Sequence, residues 1–164
     1  NRGLGGALKT IFTYAKIKKY DMLITFDADG QHDPDYIGKL INPIINRNAD
    51  VVIGSRWIKK HNVPLSKVII NILANIFTYI LYGIKTSDSQ SGLRAFNQKA
   101  INSIKIHTDG MEVSSEIFQE IRRNDLRLGE VPIEAIYTPY SLSKGQKITN
   151  TTSIFGELLL RLFR

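Results

Sequence analysis

A run of oxygen-bearing side chains follows an apolar segment in the stretch LITFDADGQHDPDYI, residues 23–37. Asp27 and Asp29 stand two positions apart after the apolar residues, and Gln31 adds a third oxygen donor. Crowded carboxylates repel one another unless a cation neutralises them. Hard oxygen ligands suit Mg²⁺ or Mn²⁺, and Mg²⁺ usually shares its shell with substrate phosphates. The spacing therefore favours a divalent metal site, to which His32 would add a nitrogen donor.

Two known loop types compete with this interpretation, and the sequence departs from both. An EF-hand calcium loop has glycine at its sixth position and glutamate at its twelfth, where this chain has His32 and Gly38. The FDADG stretch also resembles the strand-end motif of haloacid dehalogenase phosphatases, which normally continues with threonine where Gln31 stands here. Those phosphatases also need a later acidic pair, and the sequence contains no adjacent aspartates.

The acidic loop also carries the start signals of a helix. Pro34 suits the first helical turn, Asp33 the N-cap and Asp35 the negatively charged first turn. A solvated turn that caps this helix is the structural alternative to a metal site. It accounts for Asp33 and Asp35, but it leaves Asp27 and Asp29 without a role because the cap is already supplied.

Strands and helices must bring this loop to a crevice. The pattern predicts a short strand at residues 21–26, a helix at 34–47 and a second buried strand at 49–55. A strand–helix–strand unit of this kind predicts a parallel sheet. Open α/β sheets bind ligands at the carboxyl ends of their strands, where Asp27 and Arg56 both stand.

The segment 65–82 is apolar over the length of a long helix. Its polar residues recur at three- and four-residue steps and form one narrow stripe: Lys67, Asn71, Asn75 and Thr78. The segment is close to the minimum length of a transmembrane helix, but this stripe interrupts it. A wide apolar face with one polar stripe suits a helix at the membrane interface or one packed on the sheet. The predicted helix at residues 153–164 has the same character.

Composition limits the classes of protein and partner. The chain has 164 residues, 43% hydrophobic content and no cysteine, which fits one globular domain without disulfides or thiolate metal sites. A formal net charge of +7 favours polyanions such as phosphorylated small molecules or an anionic membrane surface. Nucleic acid is not expected as a partner, because the basic residues are spread out and no recognised nucleic-acid module is present.

Six segments resemble inverting glycosyltransferases of family 2 with the GT-A fold, in the order that this family has. DADGQHDP resembles the family motif Asp-Ala-Asp-x-Gln-His-x-Pro, and the polyprenol-phosphate sugar transferases of the dolichol-phosphate mannosyltransferase type are the most similar. The other segments are NRGLGGAL, DVVIGSR, DSQSGLRAF, GMEVSSEI and EVPIEAIYTPYSLSKGQK. Each segment is a weak signal alone, but together they cover nearly the whole chain.

The resemblance implies an α/β chain with the GT-A fold, in which helices flank a mixed, mostly parallel sheet. It implies a metal-dependent, inverting transfer of a sugar from a nucleotide diphosphate sugar to a polyprenyl phosphate such as dolichyl or undecaprenyl phosphate. Asp27, Asp29 and Gln31 would then hold Mg²⁺ or Mn²⁺ against the donor diphosphate. A polysaccharide or protein glycan is the alternative acceptor for the same chemistry.

Several basic residues would bind the diphosphate in such an enzyme. Arg56 and Arg94 are expected to hold phosphate bidentately, and a surface arginine at a strand end is the alternative for Arg56. Lys144 and Lys147 lie in a basic, glycine-containing loop that would cover the diphosphate, meet the acceptor phosphate or stay solvated. The glycine-rich helix start adds Gly5 and Gly6.

Three acidic residues are candidates for the general base that inverting transfer to a hydroxyl usually needs: Asp88, Glu112 and Glu116. Asp88 equally suits a turn cap, and Glu116 equally suits a solvated helix face. A phosphate acceptor is already ionised, so its need for a base is smaller. We interpret His61 and His107 as surface histidines without a role in the reaction.

The family's opening strand and nucleotide-gripping loop have no counterpart in this sequence, so we expect an N-terminally truncated GT-A domain. We assign residues 1–150 to this partial domain and residues 151–164 to a C-terminal amphipathic helix. A truncated remnant that binds metal but transfers nothing is therefore a further alternative. The charge and the two amphipathic helices predict peripheral membrane contact, which places the chain in the cytoplasm at the inner face of a membrane.

Overall fold

Nine helices and strands make up the described part of the molecule. The structure is a computed structural model that describes residues 2–27, 29–58, 65–134 and 136. In chain order the elements are α1 (Gly3–Lys18), β1 (Met22–Thr25), α2 (Tyr36–Ile45), β2 (Val51–Ser55), α3 (Leu65–Tyr82), β3 (Arg94–Asn97), α4 (Gln98–Ser103), α5 (Val113–Arg123) and β4 (Leu128–Pro132). Outside the described residues lie His61, Lys144, Lys147 and the predicted C-terminal helix at 151–164.

The strands form one four-stranded mixed sheet in the order β1–β3–β2–β4. β3 lies between β1 and β2 and is antiparallel to both, whereas β2 and β4 are parallel neighbours. β1, β2 and β4 therefore point the same way, as the strand–helix–strand pattern predicts. Three of the four described strands run in the same direction, but only β2 and β4 are paired in parallel, because β3 lies between β1 and β2. The mixed sheet flanked by helices confirms the predicted fold class.

Alternating side chains of the two central strands divide the core between the two faces of the sheet. Val51 and Ile53 of β2 and Phe96 of β3 face one apolar cluster, which α1, α4 and α5 cover. Val52 and Ala95 face the other cluster, which α2 covers. All five side chains are fully buried. With both faces covered in this way, polar functional groups are left to the ends of the strands.

The glycine-rich start of α1 packs against backbone. α1 begins at Gly3. The amides of Gly5 and Gly6 both donate to the carbonyl oxygen of Asp109, at 2.9 and 3.4 Å. A Cβ added to Gly5 would lie 2.1 Å from the carbonyl oxygen of Thr108. These contacts correct the prediction for Gly5 and Gly6, because their amides are bonded within the protein and are not open to a diphosphate.

The turn before α2 contains the predicted capping residue. The carboxylate of Asp33 accepts a hydrogen bond of 2.9 Å from the amide of Asp35. The amides of Tyr36 and Ile37 donate to the carbonyl oxygens of Asp33 and Pro34, at 3.2 and 2.9 Å. α2 starts at Tyr36, later than predicted, and its N-cap residue is Asp35, which makes no side-chain cap hydrogen bond. The prediction of Asp33 as the N-cap and Asp35 in the first turn is therefore wrong, and Asp33 instead holds the turn before the helix.

α3 has the bounds that the sequence predicts, and Asn71, Asn75 and Thr78 of its polar stripe point inward. Asn71 and Asn75 both donate to the carbonyl oxygen of Ser87, at 2.9 and 2.8 Å, and the Asn75 side chain accepts from the amide of Ser89 at 2.9 Å. The outward face exposes large apolar side chains: Ile69, Ile72, Leu73, Ile76, Tyr79 and Ile80. Across the described ranges, every helix is too short or too polar to span a membrane.

Candidate active site

The acidic loop lies beside the segment that leads into β3, because β1 and β3 are antiparallel neighbours. Their register pairs Thr25 with Arg94, so the end of β1 meets the start of β3. The hydroxyl of Thr25 donates to the carbonyl oxygen of Gly92 at 2.7 Å. Asp27 approaches Gly92 so closely that a Cβ added there would lie 2.1 Å from Oδ2 of Asp27. The sheet thus joins the two motifs DADGQHDP and DSQSGLRAF.

Asp27 is surrounded by groups that favour its charged form. Nε2 of His32 lies 3.7 Å from Oδ2 of Asp27. His32 contributes most to lowering the pKa of Asp27, the positive charges of Arg56 and Arg94 contribute at longer range, and partial burial opposes them. Asp27 is therefore ionised at neutral pH, while 48% of its side chain remains exposed. An open, ionised carboxylate of this kind is suited to bind a cation.

Asp29 and Gln31 form the turn of the acidic loop. The carboxylate of Asp29 accepts a hydrogen bond of 3.0 Å from the amide of Gln31. Gly30 between them has a φ of 77°, in the left-handed region that favours glycine. The carbonyl oxygen of Gln31 accepts from the amide of Ile136 at 3.0 Å, so the segment after β4 also contacts the loop. Both predicted ligands thus lie at the surface, with Asp29 the more exposed.

The loop offers a small set of metal donors. In the described part of the chain, no three His, Cys, Asp or Glu side chains are arranged to hold a metal ion. The predicted ligands supply two carboxylates and one amide oxygen. Mg²⁺ is often bound by one or two carboxylates that share it with substrate phosphates and water. The donor set therefore fits a cation that a phosphorylated substrate helps to bind.

Arg56 and Asp88 form a bidentate ion pair. Nε and Nη2 of Arg56 donate to Oδ2 and Oδ1 of Asp88 at 2.7 and 2.8 Å, and the Arg56 amide adds a third bond of 3.1 Å. Asp88 is completely buried, whereas 21% of the Arg56 side chain is exposed. A general base must reach the proton that it removes. In this geometry Asp88 is buried and orients Arg56, and its role as general base stays a prediction.

The segment before Asp88 is anchored to β2 and β4. The carboxylate of Glu130 in β4 accepts hydrogen bonds from the amide and the hydroxyl of Ser87, at 2.8 and 2.6 Å. The hydroxyl of Ser55 at the end of β2 lies 2.6 Å from that of Ser87. Together with the two asparagines of α3, these bonds fix the position of Ser87. The Asp88–Arg56 pair is consequently attached to three elements at once.

Arg94 is a buried cation at the start of β3. Its guanidinium donates to the carbonyl oxygens of Ser91 and Ser89 at 2.7 and 3.0 Å and lies 5.5 Å from the ring centre of Phe118. Burial lowers the pKa of Arg94 to about 10, although nearby carboxylates oppose the shift, so the group stays charged at neutral pH. Only 3% of Arg94 is exposed. Arg94 thus lies as a fixed positive charge behind Asp27, and its predicted contact with phosphate stays a prediction.

Glu116 supports a loop. Its carboxylate accepts bonds from the amides of His107 and Thr108, at 2.8 and 3.1 Å, and from the hydroxyl of Thr108 at 2.6 Å. Glu116 is buried, and the segment that it holds is the one that packs against α1. In this geometry the carboxylate of Glu116 holds the loop, and its role as general base stays a prediction. Glu112 stands at the N-cap position of α5 and is half-buried, and its role as general base stays a prediction. His107 is exposed, as predicted.

Three residues of the site are missed by sequence reasoning: Ser87, Gly92 and Glu130. Glu130 carries the clearest available signal, because a charged residue inside the apolar strand LGEVP needs a partner. Gly92 lies within the motif DSQSGLRAF and Ser87 directly precedes that motif, but their contacts depend on how distant strands pair in the sheet. The spacing of residues along the chain does not predict that β3 pairs between β1 and β2.

Comparisons with known proteins agree with the sequence and the fold. Residues 1–105 match Glycosyl transferase family 2. The chain is 43% identical to an uncharacterized protein of Methanocaldococcus jannaschii, over 98% of this chain and 68% of that protein. It is 42% identical to UDP-N-acetylglucosamine–dolichyl-phosphate N-acetylglucosaminyltransferase of Methanococcus voltae, over 98% and 66%. It is 32% identical to undecaprenyl-phosphate mannosyltransferase of Micrococcus luteus, over 92% and 66%.

The matched region contains most of the site. Asp27, Arg56, Asp88 and Arg94 all fall within the residues that match the family. The chain spans about two thirds of the length of these relatives. The predicted family is thereby confirmed: the chain belongs to glycosyltransferase family 2.

Proposed function

We propose that the protein transfers a sugar from a nucleotide diphosphate sugar to a polyprenyl phosphate, in an inverting, metal-dependent reaction. The observation that carries the proposal is Asp27, an ionised, half-open carboxylate against Gly92, with the charges of Arg56 and Arg94 behind it. Family membership supports sugar transfer. The names of two relatives, a dolichyl-phosphate N-acetylglucosaminyltransferase and an undecaprenyl-phosphate mannosyltransferase, support the lipid phosphate acceptor.

Asp27, Asp29 and Gln31 are the proposed ligands of Mg²⁺ or Mn²⁺. Their oxygen donors fit either ion, and two carboxylates leave coordination positions for the oxygens of the donor diphosphate. When bound, the ion stabilises the negative charge that develops on the departing nucleoside diphosphate. The loop presents these donors at the carboxyl end of β1, where the crevice of an open α/β sheet lies.

The basic residues are proposed to act in two ways. Arg56 is partly exposed and held in one plane by Asp88, so it is the proposed phosphate contact. Arg94 is buried and adds a fixed charge without touching the substrate. Lys144 and Lys147 remain proposed ligands of the donor or acceptor phosphate.

The acceptor phosphate supplies its own nucleophile. Its oxygen is ionised at neutral pH and attacks the anomeric carbon as the bond from that carbon to the diphosphate oxygen breaks. No proton has to be removed, so no general base is required for this acceptor. The bonds that occupy Asp88 and Glu116 agree with such a reaction. Glu112 is the candidate base only if a glycan hydroxyl is the acceptor.

The outward face of α3 is proposed to contact the membrane that holds the lipid acceptor. Ile72, Ile76 and Ile80 lie on this face and are 48%, 49% and 71% exposed. A helix of this type buries its apolar side chains at the boundary between headgroups and acyl chains. The net charge of +7 adds attraction to anionic lipids. We propose the cytoplasmic face of a membrane as the location.

Replacement of Asp29 by alanine tests the proposed function. The protein is incubated with Mn²⁺, UDP- or GDP-sugars and polyprenyl phosphate, and the lipid-linked sugar formed is measured. The wild type should form product, and Asp29→Ala should be at least about 100-fold slower, because charge developing on the leaving group loses its support. Asp35→Ala changes an exposed carboxylate of the same loop and should keep the wild-type rate.

The outcomes separate the alternatives. If the protein transfers sugar to a glycan but not to polyprenyl phosphate, a glycan is the acceptor and the proposed lipid acceptor is wrong. Asp29→Ala with the wild-type rate would disprove the metal role of the loop. A wild-type protein that neither transfers nor hydrolyses any donor would be the non-catalytic remnant.

A further inference from the structure

His32 is a buried ring in an accessible loop. Among the described residues from 26 to 39 it is the only buried one, with 6% of its surface exposed. Its ring packs at a steep angle against Phe26, with 6.0 Å between the ring centres. Burying an imidazole takes two nitrogens out of water, which is unfavourable unless a polar partner compensates. The position of the ring therefore requires a specific polar contact.

The polar contact of the His32 ring is the carboxylate of Asp27. Nε2 lies 3.7 Å from Oδ2 of Asp27, whereas Nδ1 is buried without a hydrogen-bond partner among the described residues. The tautomer that fits this arrangement carries its proton on Nε2, directed at the carboxylate. At 3.7 Å this contact is longer than a hydrogen bond and is an electrostatic contact between the ring and the carboxylate.

Gly92 approaches the same carboxylate from the segment before β3. A Cβ at this position would lie 2.1 Å from Oδ2, 2.6 Å from Cγ and 2.7 Å from Oδ1 of Asp27. Contacts this short exclude any side chain at position 92 while Asp27 keeps its orientation. Glycine is needed there for space. The carboxylate of Asp27 thus lies between the buried ring of His32 in its own loop and the backbone of Gly92 in a neighbouring segment.

We propose that His32 and Gly92 are positioning residues that hold Asp27 in the orientation in which it binds the cation. This inference rests on the proposed function, since it takes Asp27 and Asp29 as the cation site. His32 directs the carboxylate through Nε2, and Gly92 leaves the space that the carboxylate occupies. Partners that orient a metal ligand typically change metal affinity about 10- to 100-fold.

The Mn²⁺ affinity of the full chain, with UDP or GDP present, measures this positioning. Electron paramagnetic resonance of free Mn²⁺ reports binding without turnover. His32→Leu should raise the Kd for Mn²⁺ about 10- to 100-fold, and His32→Gln, which retains an N–H donor, should recover part of that loss. The matched control is His107→Leu, because His107 is an exposed histidine outside the loop, and it should bind Mn²⁺ as the wild type does.

Gly92→Ala gives an independent answer if His32→Leu fails to fold. The added methyl group meets the end of the Asp27 side chain, so the fold, checked by circular dichroism, should persist while Mn²⁺ affinity falls. Folded variants at either position with the wild-type Kd would overturn the inference and leave the proposed function standing. A wild-type chain that binds no Mn²⁺ with either diphosphate would overturn the proposed function, and the inference with it.

Discussion

Asp27 and Asp88 show how surroundings separate an accessible carboxylate from one that supports a neighbouring side chain. The pKa of Asp27 is lowered by His32 and the nearby arginines, and its side chain is half open to solvent. Asp88 is closed to solvent, and both of its oxygens are bonded to Arg56. The functional group is the same in both residues. Exposure and existing partners therefore decide which one is available to a cation.

Asp50 is a buried carboxylate that joins the start of β2 to β3 and β4. It accepts hydrogen bonds from the amide and guanidinium of Arg127 and from the side chain of Asn97. Arg127 contributes most to holding the pKa of Asp50 well below its usual range, against the effect of burial. Because the folded pKa is the lower one, this stabilisation is complete above about pH 4 and is lost as the pH falls through the folded pKa.

Asp50→Asn should lower the free energy of unfolding by about 2 kcal/mol near neutral pH, because charged hydrogen bonds in the interior are lost. The difference from the wild type should shrink as the pH falls below about 4. Urea unfolding followed by circular dichroism across this range measures both effects. Asp21→Asn, at an exposed position, is the control and should show neither. A deficit of constant size at every pH would mean that the charge of Asp50 is not its source.

At the scale of elements, α3 shows what helical periodicity leaves open. Its polar stripe is visible in the sequence, but the same pattern fits a helix that packs by either face. The buried carbonyl oxygen of Ser87 needs donors, and Asn71 and Asn75 both supply one. Asn71 and Asn75 of the polar stripe therefore turn toward the loop that holds Asp88, and the exposed apolar side chains turn outward.

The double substitution Ile72→Glu and Ile76→Glu should weaken the proposed membrane contact. Two carboxylates on the outward face of α3 would oppose its burial among lipids, so binding should weaken about 10-fold or more. Flotation with vesicles of phosphatidylcholine and phosphatidylglycerol measures the bound fraction. The matched control is Gln98→Glu with Asn102→Glu, which adds the same charge at exposed positions on α4.

Equal flotation of the two double variants would show that charge alone, and not the face of α3, governs lipid binding. Vesicle binding of the α3 variant at the wild-type level would contradict the membrane-facing role of this helix. Thermal unfolding of both variants should stay close to the wild type, because all four substituted side chains are exposed.

At the scale of the whole molecule, the insertion of β3 assembles the site. β3 is antiparallel to β1 and β2, so its start lies at the carboxyl ends of both. Asp27 follows β1, Arg56 follows β2, and Gly92 precedes β3. These residues are far apart in the chain, and the sheet brings them together. Glu130 and Ser87 then attach the end of β4 to the same place.

The acidic loop and the strand–helix–strand unit could be predicted because their signals are local. Asp27 and Asp29 follow an apolar strand directly, and Asp33 holds the turn before α2, although the N-cap residue is Asp35. The roles of Asp88 and Glu116 could not be predicted, because burial and bonding depend on segments distant in sequence. The order of the strands is set by tertiary packing for the same reason.

The location of Mn²⁺ tests most directly whether Asp27 and Asp29 form the donor site. Crystals of the protein grown with Mn²⁺ and UDP or GDP would be measured for the anomalous signal of manganese. We predict one anomalous peak about 2.1 Å from carboxylate oxygens of Asp27 and Asp29, adjoining density for the diphosphate. A bound diphosphate whose manganese peak lies away from both aspartates would contradict the proposed site.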